Sequence, residues 1–307
     1  MKIQDLHLLP KVRDSASFLY VDRCRIEQEQ RAVAILDARG RVPIPCASLT
    51  TLLLGPGTTI THAAIKNLSE CGCLVAWVGE DVARFYAVGL GETRSARNVI
   101  RQAQLVSHPR TRMEVVRRLY SMRFDEPLSE DLSLPQIRGL EGVRVRETYS
   151  RASRETGVAW HGRSYRRDSW QGSDDINRAL STASSYLYGV CHAAIVSAGY
   201  SPALGFIHTG KALSFVYDIA DLYRTETVIP VAFNCVAAQG LGIDASIRRT
   251  LRDALVERRI LDRIVVDIAY ALDVDADLND RVEDDPTVPS MLWAPADDVT
   301  PGGLNYG

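Results

Sequence analysis

The sequence predicts an α+β protein: a small N-terminal β-rich domain, a larger all-α domain and an extended C-terminal tail. Three observations predict it. The first ninety residues form short β-branched and apolar runs separated by turn chemistry, and beyond residue 96 the apolar residues recur at helical spacing. The final stretch combines acid and proline with few core-forming side chains. A chain of 307 residues can bury two domain cores. The boundaries fall at 1–90 for the β domain, 91–98 for a hinge, 99–271 for the helical domain and 272–307 for the tail.

In the β domain, "SFLYVDRCRIE", "AVAILDARGRVPIP" and "TTLLLG" read as strands, with a turn at Arg39-Gly40. "THAAIKNLSE" reads as a short helix capped by Thr61, and "CLVAWVGEDVARFYAV" as two more strands. The "GPGTT" at 55–59 lacks the Lys-Ser/Thr signature of a phosphate loop, and GxGxxG is absent, so this stretch reads as a turn feeding the helix cap. "GLGETRSARN" is the hinge. Helices are expected over 96–124, 135–156, 174–199, 214–224, 227–239 and 244–271. "GSDDINRAL" gives one of them an acidic start, and "SAGYSP" ends it with Gly and Pro.

The composition narrows the function classes. No apolar run reaches membrane-spanning length and the N-terminus has no signal-peptide core, so a cytoplasmic address is expected. Six scattered cysteines, without zinc-ribbon spacing, read as buried thiols in a reducing compartment. The net charge of −2 hides an asymmetry: residues 271–307 carry nine acidic side chains and one Arg, while the rest is basic and uses 31 Arg against four Lys. Arg94 to Arg123 holds eight Arg and one Glu, which favours a nucleic-acid partner.

One segment concentrates chemistry. In "FIHTGKALSFVYDIADL" (206–222) a helix begins at Ser214, read as its N-cap, with Phe215, Val216, Ile219 and Leu222 on the apolar side. Asp218 and Asp221 lie three residues apart and project from one face. Two close carboxylates need a cation between them, and His208 stands just upstream, which points to a metal site. Glu141 interrupts the helix "LPQIRGLEGVRVRETYS" and is either paired with Arg138 or Arg144 or a further ligand. Aromatic and cationic residues surround these motifs in "HGRSYRRDSWQG" and "SSYLYG", where rings could stack on unpaired bases. Of the remaining histidines, His192 reads as a hydrogen-bonded core residue, and His161 adjoins the aromatic loop.

"RGLEGVRVRETY", "NRALSTASSYLYGVCHAAIVSAGYSPALGFIHTG" and "LSFVYDIADL" together resemble the CRISPR-associated spacer-acquisition integrase, the metal-dependent catalytic subunit, in its type I-E form. The resemblance runs from "SFLY" to about residue 270 and implies an N-terminal β domain for dimerisation and DNA contact and a C-terminal helical catalytic domain. It implies Glu141, His208 and Asp221 as ligands of Mg²⁺ or Mn²⁺, with Asp218 as an acidic catalytic neighbour. Tyr165, Trp170, Tyr188, Lys211 and Tyr217 match positions where the family handles DNA ends, with Tyr20 a weaker candidate. Arg84, Arg248 and Arg249 are the backbone-contact candidates. The implied reaction is transesterification, in which a DNA 3′-hydroxyl joins a short fragment, double-stranded with single-stranded ends, into a repeat array without ATP. The implied assembly is two homodimers flanking a dimer of a small ferredoxin-like subunit. The tail, with Val288, Met291, Leu292 and Trp293 in a Pro-punctuated stretch that has no local core, reads as a docking peptide, and the resemblance implies that subunit as its partner. The rival readings are a structure-selective metal-dependent endonuclease and a non-catalytic DNA-binding scaffold.

Overall fold

The computed structural model describes residues 18–30, 32–46, 49–82, 84–89, 96–163, 174–238 and 243–274, with 291–292 and 300–301. Strands β1 (Phe18–Val21), β5 (Thr51–Leu54), β7 (Leu74–Val78) and β8 (Phe85–Gly89) form one sheet in the order β1-β5-β7-β8. The first three are parallel and β8 is antiparallel to β7. A second sheet has the order β4-β3-β2-β6, from β2 (Arg25–Glu29), β3 (Ala32–Asp37), β4 (Gly40–Pro45) and β6 (Thr59–Ile60). The expected turn at Arg39-Gly40 joins β3 and β4, pairing Asp37 with Gly40. Helix α1 (His62–Glu70) starts as the sequence predicts, with the Thr61 hydroxyl accepting the Ala64 N–H at 3.3 Å.

Strand alternation explains why "TLLL" and "LVAWV" are apolar almost throughout. Leu52, Leu54 and Val75 face a small core with Ile26, Val33, Ala64 and Leu68. Leu53, Leu74, Ala76 and Val78 face the other way, into the core of the helices. A sheet with three parallel strands is thereby covered on both faces. The β domain shares one of its two cores with the helical part. The buried hydroxyls of Thr51 on β5 and Ser197 on α5 (Asp175–Ser197) hydrogen-bond across this junction.

The helical part is organised around α5, most of whose residues are buried. It packs against α6 (Ser214–Tyr223), α7 (Val228–Ala237), α8 (Ile243–Glu257) and α9 (Ile260–Leu272). The acidic start of α5 is functional as a cap: Asp174 accepts the Asn177 N–H at 2.9 Å. Helix α4 (Leu134–Thr156) begins where Gln136 accepts the Ser133 N–H at 2.8 Å and ends at Gly157, whose φ of 71° is the left-handed turn that glycine adopts without strain.

Three local expectations are corrected. The stretch 96–124 is two helices, α2 (Arg97–Ser107) and α3 (Pro109–Ser121), because Pro109 forces His108 into extended backbone. The stretch 244–271 is likewise two, α8 and α9, broken where Arg259 takes a left-handed φ of 50°. Ser214 is the first helical residue, with Leu213 as cap, and its hydroxyl bonds the backbone of Lys211, donating to the carbonyl at 2.8 Å and accepting the N–H at 3.1 Å. Among the described residues, all six cysteines are free thiols and five are buried, and no helix is long and apolar enough to cross a membrane.

Candidate metal and nucleic-acid site

Three segments meet at one cavity of about 250 Å³. Helix α4 contributes Glu141, Arg144 and Val145, the loop before α6 contributes Ile207 and His208, and α6 contributes Asp221. Tyr120 on α3, Arg123 just after it, Arg224 and Thr225 after α6, and Ile229 on α7 complete the wall. Glu141, His208 and Asp221 therefore line a single pocket although 80 residues of sequence separate the first from the last.

The loop that presents His208 is clamped from three sides. The Gln102 amide, on α2, donates to the carbonyls of Ser201 and Leu204, both at 3.0 Å, and its oxygen accepts the Ser201 N–H at 2.8 Å. The Arg112 guanidinium, on α3, donates to the Phe206 carbonyl at 2.8 and 3.0 Å. Asp218 does most. Its fully buried carboxylate accepts the backbone N–H groups of Phe206 at 2.6 Å, Ile207 at 3.1 Å and His208 at 2.9 Å.

The same carboxylate accepts a hydrogen bond from His208 Nδ1 at 2.8 Å. That bond holds the ring in one orientation and leaves Nε2 for a ligand, the arrangement in which a carboxylate fixes a metal-binding imidazole. The Asp218 bond raises the His208 pKa above its ordinary value, outweighing desolvation. Asp218 and Asp221 thus differ although they start from one helix face. Asp218 is turned inward onto the loop, and its geometry is that of a positioning residue; Asp221 faces the cavity.

A cation does stand between the two cavity-facing carboxylates, and the chain supplies it. Arg123, its side chain 4% exposed, places Nη1 3.4 Å from Glu141 and 3.7 Å from Asp221. Arg144 grips Glu141 with two bonds, Nε to Oε2 at 2.9 Å and Nη2 to Oε1 at 3.0 Å. Arg224 stands 3.8 Å from Asp221. The alternatives for Glu141 are resolved in part: Arg144 pairs with it, and it also faces the cavity. Among the described residues no three His, Cys, Asp or Glu side chains stand at ligating distance of one ion. The donor chemistry nonetheless fits Mg²⁺ or Mn²⁺, because two carboxylates and an imidazole edge a position that a cationic group already occupies.

The candidate DNA-contact residues divide. Tyr217 forms edge contacts with both Tyr188, centroids 5.0 Å apart, and His208, 5.7 Å apart, so an aromatic cluster adjoins the pocket. Lys211 is exposed on the same loop. Arg84 is exposed beside β8, and Arg249 is exposed on α8, whereas Arg248 pairs with Glu80 at 3.3 Å across the junction of sheet and helices. Tyr165, Trp170, Val288 and Trp293 lie outside the described residues. Tyr20 is half-buried, its hydroxyl 3.4 Å from Asp22 and its ring against Gly55, where any side chain would collide with it. His192 is half-buried, stacks on Phe85 with centroids 4.0 Å apart, and burial pushes its pKa down to about 4.

The sequence reading missed Arg123 and treated Arg144 only as a rival explanation of Glu141. Their signal was the eight-Arg run ending at Arg123, in which a side chain destined for burial looks like any other.

Fold and site define a class: an α+β protein whose helical part carries a carboxylate–imidazole pocket walled by arginines. The family described as CRISPR associated protein Cas1 matches residues 123–250, a span that holds Arg123, Glu141, His208, Asp218, Asp221, Arg248 and Arg249. The chain is 54% identical over 99% of its length to CRISPR-associated endonuclease Cas1 2 of Thermus thermophilus, covering 94% of that protein. It is 43% identical to CRISPR-associated endonuclease Cas1 of Geobacter sulfurreducens over 85% of this chain and 86% of that one. The crystal structure of a TtCas1–DNA complex superposes with a TM-score of 0.79 at 55% identity, covering 86% of this chain and 99% of that chain. The chain belongs to the Cas1 family of CRISPR-associated proteins.

Proposed function

We propose that the protein is the divalent-metal-dependent DNA integrase of CRISPR adaptation, of the type I-E form, working in the cytoplasm. The observation that carries this reading is the meeting of Glu141, His208 and Asp221 on one cavity walled by Arg123, Arg144 and Arg224. Its similarity to proteins named as endonucleases, and to one crystallised with DNA, supports DNA as the substrate.

Glu141, Asp221 and His208 Nε2 would hold Mg²⁺ or Mn²⁺. When bound, the ion polarises the scissile phosphate and stabilises charge on the attacking and leaving oxygens. The chain's own residues do the rest. Asp218 orients His208, the arginine wall draws in phosphate, and Tyr188 and Tyr217 with Lys211 receive an unpaired DNA end. A DNA 3′-hydroxyl attacks phosphorus; one P–O bond forms as another breaks, the attacking hydroxyl releases its proton and the leaving 3′-oxygen takes one up. Bond number is conserved, so no nucleotide is consumed.

A homodimer with a small ferredoxin-like subunit is the proposed assembly, the tail docking on that subunit. A strand-transfer assay with Mn²⁺ and labelled duplexes bearing single-stranded ends tests the function. Joined products are expected. Cut fragments alone would make it a structure-selective nuclease, and binding without either product a scaffold. Asp221→Ala and His208→Ala should abolish joining while leaving DNA affinity nearly intact, because arginine contacts supply most of the binding. Full joining by Asp221→Ala would remove that residue from the site.

A further inference from the structure

The chain's own arginines already balance the carboxylates at the pocket. Glu141 and Asp221 face the cavity and the buried Asp218 carboxylate lies behind His208, so three carboxylates stand against the three guanidinium groups of Arg123, Arg144 and Arg224. A divalent cation entering this ring meets no net attraction while all three guanidinium groups stay on their carboxylates. It also finds both oxygens of Glu141 engaged by the Arg144 fork, which is braced by a third bond from Nη1 to the Thr225 hydroxyl at 3.0 Å.

The two guanidinium groups on Glu141 are not equally free to leave. Arg123 is 4% exposed, lies over the Tyr120 ring at 4.9 Å and is fixed between the two carboxylates. Arg144 is 24% exposed, opens onto the cavity, and lies near the Phe124 ring at 5.6 Å, a flat apolar surface over which a guanidinium can slide. A phosphodiester presents the same geometry to such a fork as a carboxylate does, two oxygens in one plane.

We propose that Arg144 exchanges partners, leaving Glu141 for the non-bridging oxygens of an incoming DNA phosphate, so that the cation and the phosphate enter the site together. Arg144 is then a positioning residue for the phosphate and, without DNA, a cap on Glu141. The idea rests on the metal-site reading above. Its physical content is a coupling: phosphate removes the guanidinium that competes for Glu141 and adds the negative charge the cation needs, and each ligand must tighten the other equally.

Binding of Mn²⁺ alone, followed by electron paramagnetic resonance of the free ion, tests it on the full chain. Adding the dinucleotide thymidylyl-thymidine, which has one phosphodiester, should tighten Mn²⁺ binding by about tenfold, after correction for Mn²⁺ held by the dinucleotide itself. Arg144→Gln should bind Mn²⁺ tightly without dinucleotide and respond little to its addition. Wild-type affinity indifferent to the dinucleotide overturns the proposal without reliance on any variant, as does a folded Arg144→Gln protein that behaves like wild type. Glu141→Gln separates the two ideas. If it abolishes Mn²⁺ binding the metal site stands whatever Arg144 does; if it changes nothing, the metal site and the exchange fall together.

Discussion

Asp218 shows how much one side chain can settle. Its carboxylate replaces the water that three loop N–H groups would otherwise need, and it sets the ring orientation of His208. Asp218→Asn keeps the size but removes the charge and turns one acceptor into a donor facing N–H groups. Hydrogen bonds to a charged acceptor contribute about 1.5–3 kcal/mol each, so thermal unfolding of this variant should show a loss of that order or more. The pH dependence has a definite sign. His208 is raised above its unfolded value by Asp218, so the stability from this pair is complete below the unfolded pKa and is lost as pH rises through the folded one. NMR titration should find the His208 pKa lower in Asp218→Asn than in wild type. An unchanged pKa would mean that the pair does not set it.

At the scale of elements, the loop 201–213 places His208 at the cavity and the α5–β8 contact joins the helices to the sheet. Gly205 sits where a Cβ would collide with the His208 carbonyl oxygen and come within 2.7 Å of Ser214. Both are backbone-fixed, so Gly205→Ala must displace the loop. We expect a fall of about 1–3 kcal/mol in stability from overpacking and a much larger proportional loss of strand transfer, measured against a retained far-ultraviolet helix signal. Normal joining by this variant would show that the loop tolerates displacement. The Phe85–His192 stack joins sheet to helices and titrates in acid. With the folded pKa depressed from 6.5 to about 4, the unfolded chain binds the proton first, so stability falls as pH drops through that window. His192→Phe keeps a ring on Phe85 and should flatten the stability-against-pH curve between pH 6.5 and 4; an unchanged slope would assign the acid sensitivity to other groups.

The whole molecule presents a basic body and an acidic tail. DNA repels a tail of this charge, so a protein partner is its proposed contact. The described part of the tail pairs Met291–Leu292 with Thr300–Pro301 as a minimal antiparallel ladder, which leaves one edge of that short strand already used. Deleting residues 282–307 should leave DNA binding and folding intact and weaken binding of the small ferredoxin-like subunit. Calorimetric titration of both forms against that subunit decides, and equal affinities would leave the tail without this role.

The sequence by itself determined the elements whose cause is local. Thr61 and Asp174 cap their helices because capping needs only the next three residues, and strand period two marks "TLLL" and "LVAWV" wherever they end up. It also marked Glu141, His208 and Asp221 through motifs long enough to be specific. Only the tertiary structure decided which carboxylate faces the cavity. Asp218 and Asp221 share a helix face, and their difference arises from a loop folding back onto one of them. Nor could periodicity announce that the cation between Glu141 and Asp221 is Arg123, because burial of a charge depends on groups brought together from 123, 141 and 221. Local sequence sets backbone geometry; the energy of a buried charge is set by neighbours distant along the chain.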